Sequence, residues 1–320
     1  MKKYILFFVL IILCIGLTSC AEQKASSTEF MLNTVINITA YGEKANEAIQ
    51  AAFDEVKRIE NLLSCHIETS EISKINAIAH KEKVEISEET LFVLKKALEM
   101  SQKTDGAFDI SVKPLADLWN ITAENPVIPS ESEITKAKSC VGYENIVIDG
   151  NTIFFKKEGV QIDLGGAAKG YCADKVCQVL KHYGIKNALI DLGGNIYALG
   201  KNEKGQDWRI GLQAPKGVRG EYFEVENLSD KSAVTSGSYE RYFEKEGKIY
   251  HHILDPKTGY SADTGLISVT VIGKNSFECD MLSTAIFVMG EENFNKISQN
   301  FDYEKYVTVD KLNTVRTYNK

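Results

Sequence analysis

The chain has 320 residues, 44% hydrophobic and 25% charged, with a formal net charge of −7 at pH 7. This is ordinary globular composition, long enough for one large domain or two small ones. The acidic balance excludes general nucleic-acid binding, and an anionic substrate would require locally concentrated cations or a metal ion.

The amino end reads as an export signal, with Lys2 and Lys3 ahead of an apolar run from Tyr4 to Leu17 that is too short for a comfortable membrane span. Leu17-Thr18-Ser19-Cys20 resembles the lipobox of bacterial lipoproteins. It predicts a signal peptide over 1–19, lipidation of Cys20 and a lipid anchor at the cell membrane, facing outside the cytoplasm on the periplasmic or extracellular side. Loss of residues 1–19 removes two lysines and no acid, moving the charge from −7 to −9. Residues 20–29 are polar and read as a flexible tether, and residues 30–320 read as one continuous domain, without solenoid-length repeats or low-complexity tracts.

Taken in order, "MLNTVINITAY" alternates as a strand, and "NEAIQAAFDEVKRIENLL" carries Ala48, Ala51, Ala52, Val56, Ile59 and Leu63 at helical spacing. A second helix starts behind Ser87 and stops before Asp105-Gly106. Pro126 and Pro129 mark a loop, and Ser130 with Glu133 has capping-box spacing. Asp149-Gly150-Asn151 predicts a hairpin within "NIVIDGNTIFF". Further strands are expected at 161–164, 188–192, 208–212, 222–225, 249–254 and 266–272, with a helix after Gly166 that Gly184 ends. Ser236-Gly237-Ser238 reads as a turn, and Ser276 as the cap of a helix ending at Gly290. Early helices followed by strands with a few helices argue an α+β fold.

Five cysteines remain beyond Cys14 and Cys20, namely Cys65, Cys140, Cys172, Cys177 and Cys279. Their odd number excludes a complete disulfide framework, and their spacings match no zinc pattern, so they read as buried thiols.

Several short stretches can carry chemistry. Asp163-Leu164-Gly165-Gly166 runs into a helix with Lys169 in its first turn, an arrangement that offers backbone amides and a cation to a phosphate or is simply a tight turn. Neither the Rossmann nor the Walker pattern occurs. Asp191-Leu192-Gly193-Gly194 repeats the first motif. Asp280 and Thr284 are four apart, so carboxylate and hydroxyl share a helix face, as a hard cation or a surface hydrogen bond would require. His251 and His252 are adjacent and face opposite sides of a strand, and Phe108 reads equally as a cover for an aromatic ligand or a core anchor.

Together these stretches resemble the ApbE family of FAD:protein FMN transferases. The match runs through Met31 and Thr34, Ser70-Glu71-Ile72 with Asn76, Gly106 to Asp109, Pro114-Leu115 with Trp119, Asp163 to Gly170 and Asp191 to Asn195. It continues through Thr235-Ser236-Gly237 with Tyr239, His252 to Pro256 with Thr258-Gly259, and Asp280 with Thr284. The resemblance implies a single large domain with a mixed, mostly antiparallel sheet and flanking helices. It implies cleavage of the FAD pyrophosphate, transfer of FMN to a Thr or Ser hydroxyl of an acceptor protein, and release of AMP. It further implies a Mg2+ site from Asp280, Thr284 and the Gly166 carbonyl, with Asp280 also positioning or deprotonating the acceptor hydroxyl. FAD contacts fall on Met31, His66, Ala107, Phe108, Asp109, Asp163, Lys169, His252 and Ile253. His66 stands where the family frequently has Tyr, and Phe30-Met31-Leu32 departs from the usual Met-Gly-Thr. The expected acceptor is a membrane redox subunit. The same motifs fit a Mg2+-dependent FAD pyrophosphatase, and a flavin-binding lipoprotein without catalysis is the third reading.

Overall fold

Alternation in Thr34–Tyr41 puts Ile36, Ile38 and Ala40 on one face, all fully buried. In the computed structural model, which describes residues 23–215, 217 and 220–320, this strand (β2) pairs antiparallel with β1, Lys24–Met31. The signal segment, Cys20 and the first tether residues lie outside the described residues. Leu32 and Asn33 join the two strands at φ 52° and 56°, the left-handed pair that a two-residue hairpin requires. The tether is therefore shorter than composition suggests, because Lys24 pairs with Tyr41 and Glu29 with Ile36. Strand β1 is the edge of the sheet and buries little besides Ala25, so its sequence stays polar.

Helix α1 (Ala45–Leu63) buries Ala48, Ile49, Ala52, Phe53, Val56, Ile59 and Leu63 along one stripe, as its spacing predicts. Each large side chain so buried contributes about 1.5–3 kcal/mol. Helix α2 (Glu71–Ile78) was not evident from periodicity and is capped by Ser70, whose Oγ accepts from Ser73 N. After β3 (Val84–Glu85), Ser87 caps α3 (Glu88–Lys103). Helices α4 (Lys113–Trp119) and α5 (Glu131–Lys138) follow, the latter with the expected Ser130–Glu133 capping box. Strands β4 (Ile146–Asp149) and β5 (Thr152–Phe155) form the expected hairpin, and β5 pairs with β3. Residues 161–164 are not a strand. Ile162 N donates to Asn76 Oδ1 and Asp163 N to Ile110 O, so a side chain and a loop replace the ladder.

Helix α6 (Ala168–His182) leads to β6 (Asn187–Leu192) and β7 (Asn195–Leu199). Next come β8 (Trp208–Gln213), β9 (Tyr222–Leu228), β10 (Lys231–Gly237), β11 (Tyr242–Lys245), β12 (Lys248–His251) and β13 (Leu266–Gly273). Strand β10 absorbs Ser236 and Gly237, which correct from turn to strand, and β12 ends three residues earlier than expected. Helices α7 (Ser276–Met289) and α8 (Glu291–Ile297) precede β14 (Lys305–Asp310) and β15 (Val315–Asn319). The N-cap of α7 is Asn275, one residue before the expected Ser276, while Gly290 ends the helix as expected.

The main sheet has the order β1-β2-β6-β7-β10-β13-β14-β15, every neighbour antiparallel. Helices α1, α6 and α7 cover one face, and the β8–β9 hairpin covers part of the other through Trp208, Ile210 and Leu228 against Ala198, Ala233 and Ile272. A single α+β domain results, with α6 and α7 packed against each other over β7 and β10.

Candidate active site

The crossing of α6 and α7 is set by Gly170. A Cβ at this position would lie 2.3 Å from Ser276 O, 2.7 Å from Asp280 Cβ and 2.8 Å from Phe277 Cα, so only glycine permits this approach. On the same helix, Asp174 caps α7 across the interface, its Oδ1 and Oδ2 accepting from Ser276 N (3.0 Å) and Phe277 N (2.9 Å). Burial, together with the nearby Asp280 charge, outweighs those two hydrogen bonds and raises the Asp174 carboxyl to about 6.

Close approach lets Gly170 N donate to Asp280 Oδ2 at 2.8 Å. In a continuous helix that amide would bond the Gly166 carbonyl four residues back. Helix α6 instead starts its ladder with Tyr171 N to Ala167 O, and among the described residues no backbone N–H donates to Gly166 O. A carbonyl is thus released from the helix by the same contact that fixes Asp280. A methyl built on Gly166 would lie 3.3 Å from both Thr284 Oγ1 and Phe108 Cε2, which places the predicted loop glycine, helix hydroxyl and aromatic together.

Asp280 is 3% exposed, and burial raises its pKa. Lys169, Gly170 N–H and the Asn195 amide oppose that shift. Asn195 lies just past the repeated Asp-Leu-Gly-Gly, which here forms the hairpin turn between β6 and β7, with Gly193 and Gly194 at φ 66° and 91°. Ser276 Oγ donates to Asn195 Oδ1 (2.8 Å) and accepts from Ser232 Oγ (2.9 Å), fixing the amide's orientation. Asn195 Nδ2 then lies near enough to Asp280 to favour its ionised form, yet no described protein atom completes a hydrogen bond to it. Ser236 Oγ lies 3.3 Å from Thr284 Oγ1 and 2.8 Å from Ser283 Oγ, tying β10 to α7. Asn195, Ser236 and Gly170 fell within the recognised motifs, but their partners across the fold had no local signal; Ser232, Ser276 and Asp174 in these roles had none.

A hard divalent cation fits this donor set. A buried carboxylate, a hydroxyl one turn on and an unclaimed backbone carbonyl are all oxygen ligands of the kind Mg2+ takes, with water or phosphate completing the shell.

The flavin-contact residues divide. Lys169 makes no ion pair among the described residues, while its charge reaches Asp280 and His252. Phe108 lies beside Gly166, and both it and its neighbour Ala107 are buried. Asp109 spends both oxygens internally: Oδ1 accepts from Ser111 N and Oγ, and Oδ2 from Tyr143 N. It therefore holds the loop that carries Phe108, and burial raises its pKa. Asp163 Oδ1 accepts from Gly165 N at 2.7 Å, shaping the glycine turn, while its carboxylate also borders Cys65 and His66. Met31 is half-buried at the β1–β2 turn, and Arg241 reaches toward that turn at Asn33 O (3.5 Å). His252 is exposed and paired through Nδ1 with Arg241 O. Ile253 belongs to the main core with Ala107 and Phe108, and its carbonyl accepts from Ala262 N. His251 points the other way from His252, into the core against Phe287, and burial lowers its pKa to about 4.

The ApbE family model matches residues 32–307. An FAD:protein FMN transferase of Treponema pallidum is 32% identical over 307 residues, covering 89% of this chain and 85% of its own. A similarly named Vibrio cholerae protein is 32% identical over 297 residues, covering 91% of this chain and 89% of its own. Among solved structures, the ApbE protein of Thermotoga maritima superposes with a TM-score of 0.85 at 35% identity, covering 92% of this chain and 96% of its own. A Vibrio cholerae flavin transferase, ApbE, superposes at 0.83 with 27% identity, covering 93% and 97%. With that match spanning nearly all of the described fold and the site built from the same motifs, the chain belongs to the ApbE family.

Proposed function

We propose that this chain is a Mg2+-dependent FAD:protein FMN transferase, joining FMN through a phosphoester to a Thr or Ser hydroxyl of an acceptor protein and releasing AMP. The convergence of Gly166, Thr284 and Asp280 carries the reading, because a bare binding protein has no use for a freed carbonyl beside a buried carboxylate. The similarly named relatives support it.

Bound at this site, Mg2+ would neutralise the pyrophosphate and make its phosphorus more electrophilic. The chain's own groups do the rest. Lys169, in the first turn of α6, meets the diphosphate charge together with the helix N-terminus. The Asp163–Gly165 turn shapes the loop against which the nucleotide lies, and Phe108 closes it from the side. Asp280 Oδ2 stays engaged with Gly170 N–H, leaving Oδ1 to hold the cation and, through its remaining lone pair, to position the acceptor hydroxyl and draw its hydrogen. As the acceptor O–P bond forms, the P–O bond to AMP breaks and the hydroxyl proton leaves through Asp280 or solvent.

The enzyme is read as lipid-anchored through Cys20, outside the cytoplasm, serving a membrane redox subunit. Only residues 21–23 separate that cysteine from the start of β1, so the sheet edge stays within roughly 15 Å of the anchor. No helix among the described residues is long and apolar enough to cross a membrane. Incubating the protein with FAD, Mg2+ and an acceptor polypeptide tests the activity: covalent FMN on Thr or Ser is expected, whereas free FMN plus AMP alone would make it a pyrophosphatase.

A further inference from the structure

Apart from the oxygen site, one other group of mixed donors stands close together among the described residues. Cys65, His66 and Asp163 place a sulfur, a ring nitrogen and a carboxylate oxygen all within 4.8 Å of one another. They come from two segments, the turn after α1 and the extended stretch before Gly165. Both segments are held independently of any ligand. Ser70 Oγ donates to Ser64 O and Ser64 Oγ accepts from His66 N, pinning the first. The Asp163–Gly165 turn and the bond from Asp163 N to Ile110 O pin the second. Asp163 uses Oδ1 in its turn, so Oδ2 is the carboxylate oxygen that the turn does not engage.

We propose that Cys65, His66 and Asp163 form a second, soft-metal site, selective for Zn2+ over Mg2+, at the edge of the flavin-nucleotide site. Thiolate and imidazole suit zinc and not magnesium, and three protein ligands with one open position is a common zinc arrangement. The charges balance: a thiolate and a carboxylate neutralise the divalent ion, while imidazole binds uncharged. Nearby Lys113 does not upset this, because its ammonium is paired with Asp117 at 2.7 Å. In the metal-free protein, burial and the adjacent Asp163 carboxylate raise the thiol to about 12, so it is protonated, and binding releases that proton to solvent. His66 is exposed and free to swing the short distance needed, while Cys65 and Asp163 are half-buried.

Asp163 is three residues before Gly166, so zinc here engages a residue that the proposed transferase reading assigns to FAD; that consequence rests on the reading, the site itself does not. Zinc is therefore expected to compete with FAD while leaving the oxygen site to magnesium.

Titrating the purified full chain with Co2+ tests the site without reference to activity. The wild type should develop a thiolate-to-cobalt charge-transfer band that Zn2+ abolishes. Cys65→Ser should lose the band, His66→Ala should weaken Co2+ binding by more than about tenfold, and Cys140→Ser should keep both. Absence of the band in the wild type, or its persistence in Cys65→Ser, overturns the site. Direct FAD binding, followed by flavin fluorescence, tests the competition. Zn2+ should weaken it by at least about tenfold in the wild type and leave Cys65→Ser unaffected; equal effects in both chains overturn the competition even where the cobalt band is present.

Discussion

Single atoms decide much of this site. Gly170→Ala would place a methyl 2.3 Å from a backbone oxygen of α7, a clash that moving a side chain cannot relieve. It is expected to cost more than about 2 kcal/mol, read as a lower urea midpoint, and to abolish flavin transfer by separating Gly170 N from Asp280. Gly166→Ala makes only 3.3 Å contacts and leaves the carbonyl in place, so activity should stay within severalfold of wild type. Equal damage from both changes would contradict the geometry. Lys169→Met should leave the melting temperature nearly unchanged, since no described carboxylate pairs with Lys169, while raising the KM for FAD. A substantial loss of stability would show the lysine to be structural instead.

His251 and Asp174 titrate in opposite senses. Burial lowers the His251 pKa to about 4, from roughly 6.5 in the unfolded chain. Its stabilising contribution is therefore complete above pH 6.5 and is lost as pH falls through 4. His251→Gln, which keeps an N–H for Ala262 O, should flatten the fall in stability between pH 7 and 4.5 in urea titrations. An unchanged slope would mean that the imidazole is not held neutral.

At the scale of elements, α7 depends on a cap supplied from α6. Asp174→Ala removes two acceptors from its N-terminus and is expected to cost about 1–2 kcal/mol. Because the folded pKa is raised to about 6, the carboxyl's contribution is greatest below about pH 4 and declines as pH rises through 6. The difference between wild type and Asp174→Ala should thus be larger at pH 5 than at pH 7.5; the reverse order would contradict the burial argument.

Elements with one buried face were legible in the sequence. Helix α1, α3 with Ser87 and α5 with its capping box each announce themselves locally. Strands β7 and β10 did not, because both their faces are covered, by helices on one side and by the β8–β9 hairpin on the other, which erases alternation. Edge strand β1 failed in the opposite way, its polar surface reading as a tether. The chemistry followed the same division. Asp280 with Thr284 and the Asp163 loop were visible as motifs, but the bonds from Gly170 to Asp280 and from Ser276 to Asn195 cross 110 and 81 residues. Cysteine spacing likewise gave no sign of Cys65 meeting Asp163, since zinc patterns report ligands close in sequence.

Over the whole molecule, one antiparallel sheet carries the hairpin turns and helices α6 and α7 to a common place, so the site depends on the complete fold rather than on any one segment. The proposed anchor acts at the same scale. Cys20→Ala should release the protein from the membrane fraction while preserving transfer to a soluble acceptor peptide; continued membrane association would show that something other than the lipid holds it.

The central claim is that Gly166, Thr284 and Asp280 together seat the cation that drives FMN transfer. Calorimetric Mg2+ titration alongside mass spectrometry of the acceptor, for wild type, Thr284→Val and Asp280→Asn, tests it most directly. Both substitutions should weaken Mg2+ binding and greatly reduce covalent FMN in folded protein. Wild-type magnesium affinity and full flavinylation in either variant would contradict the account.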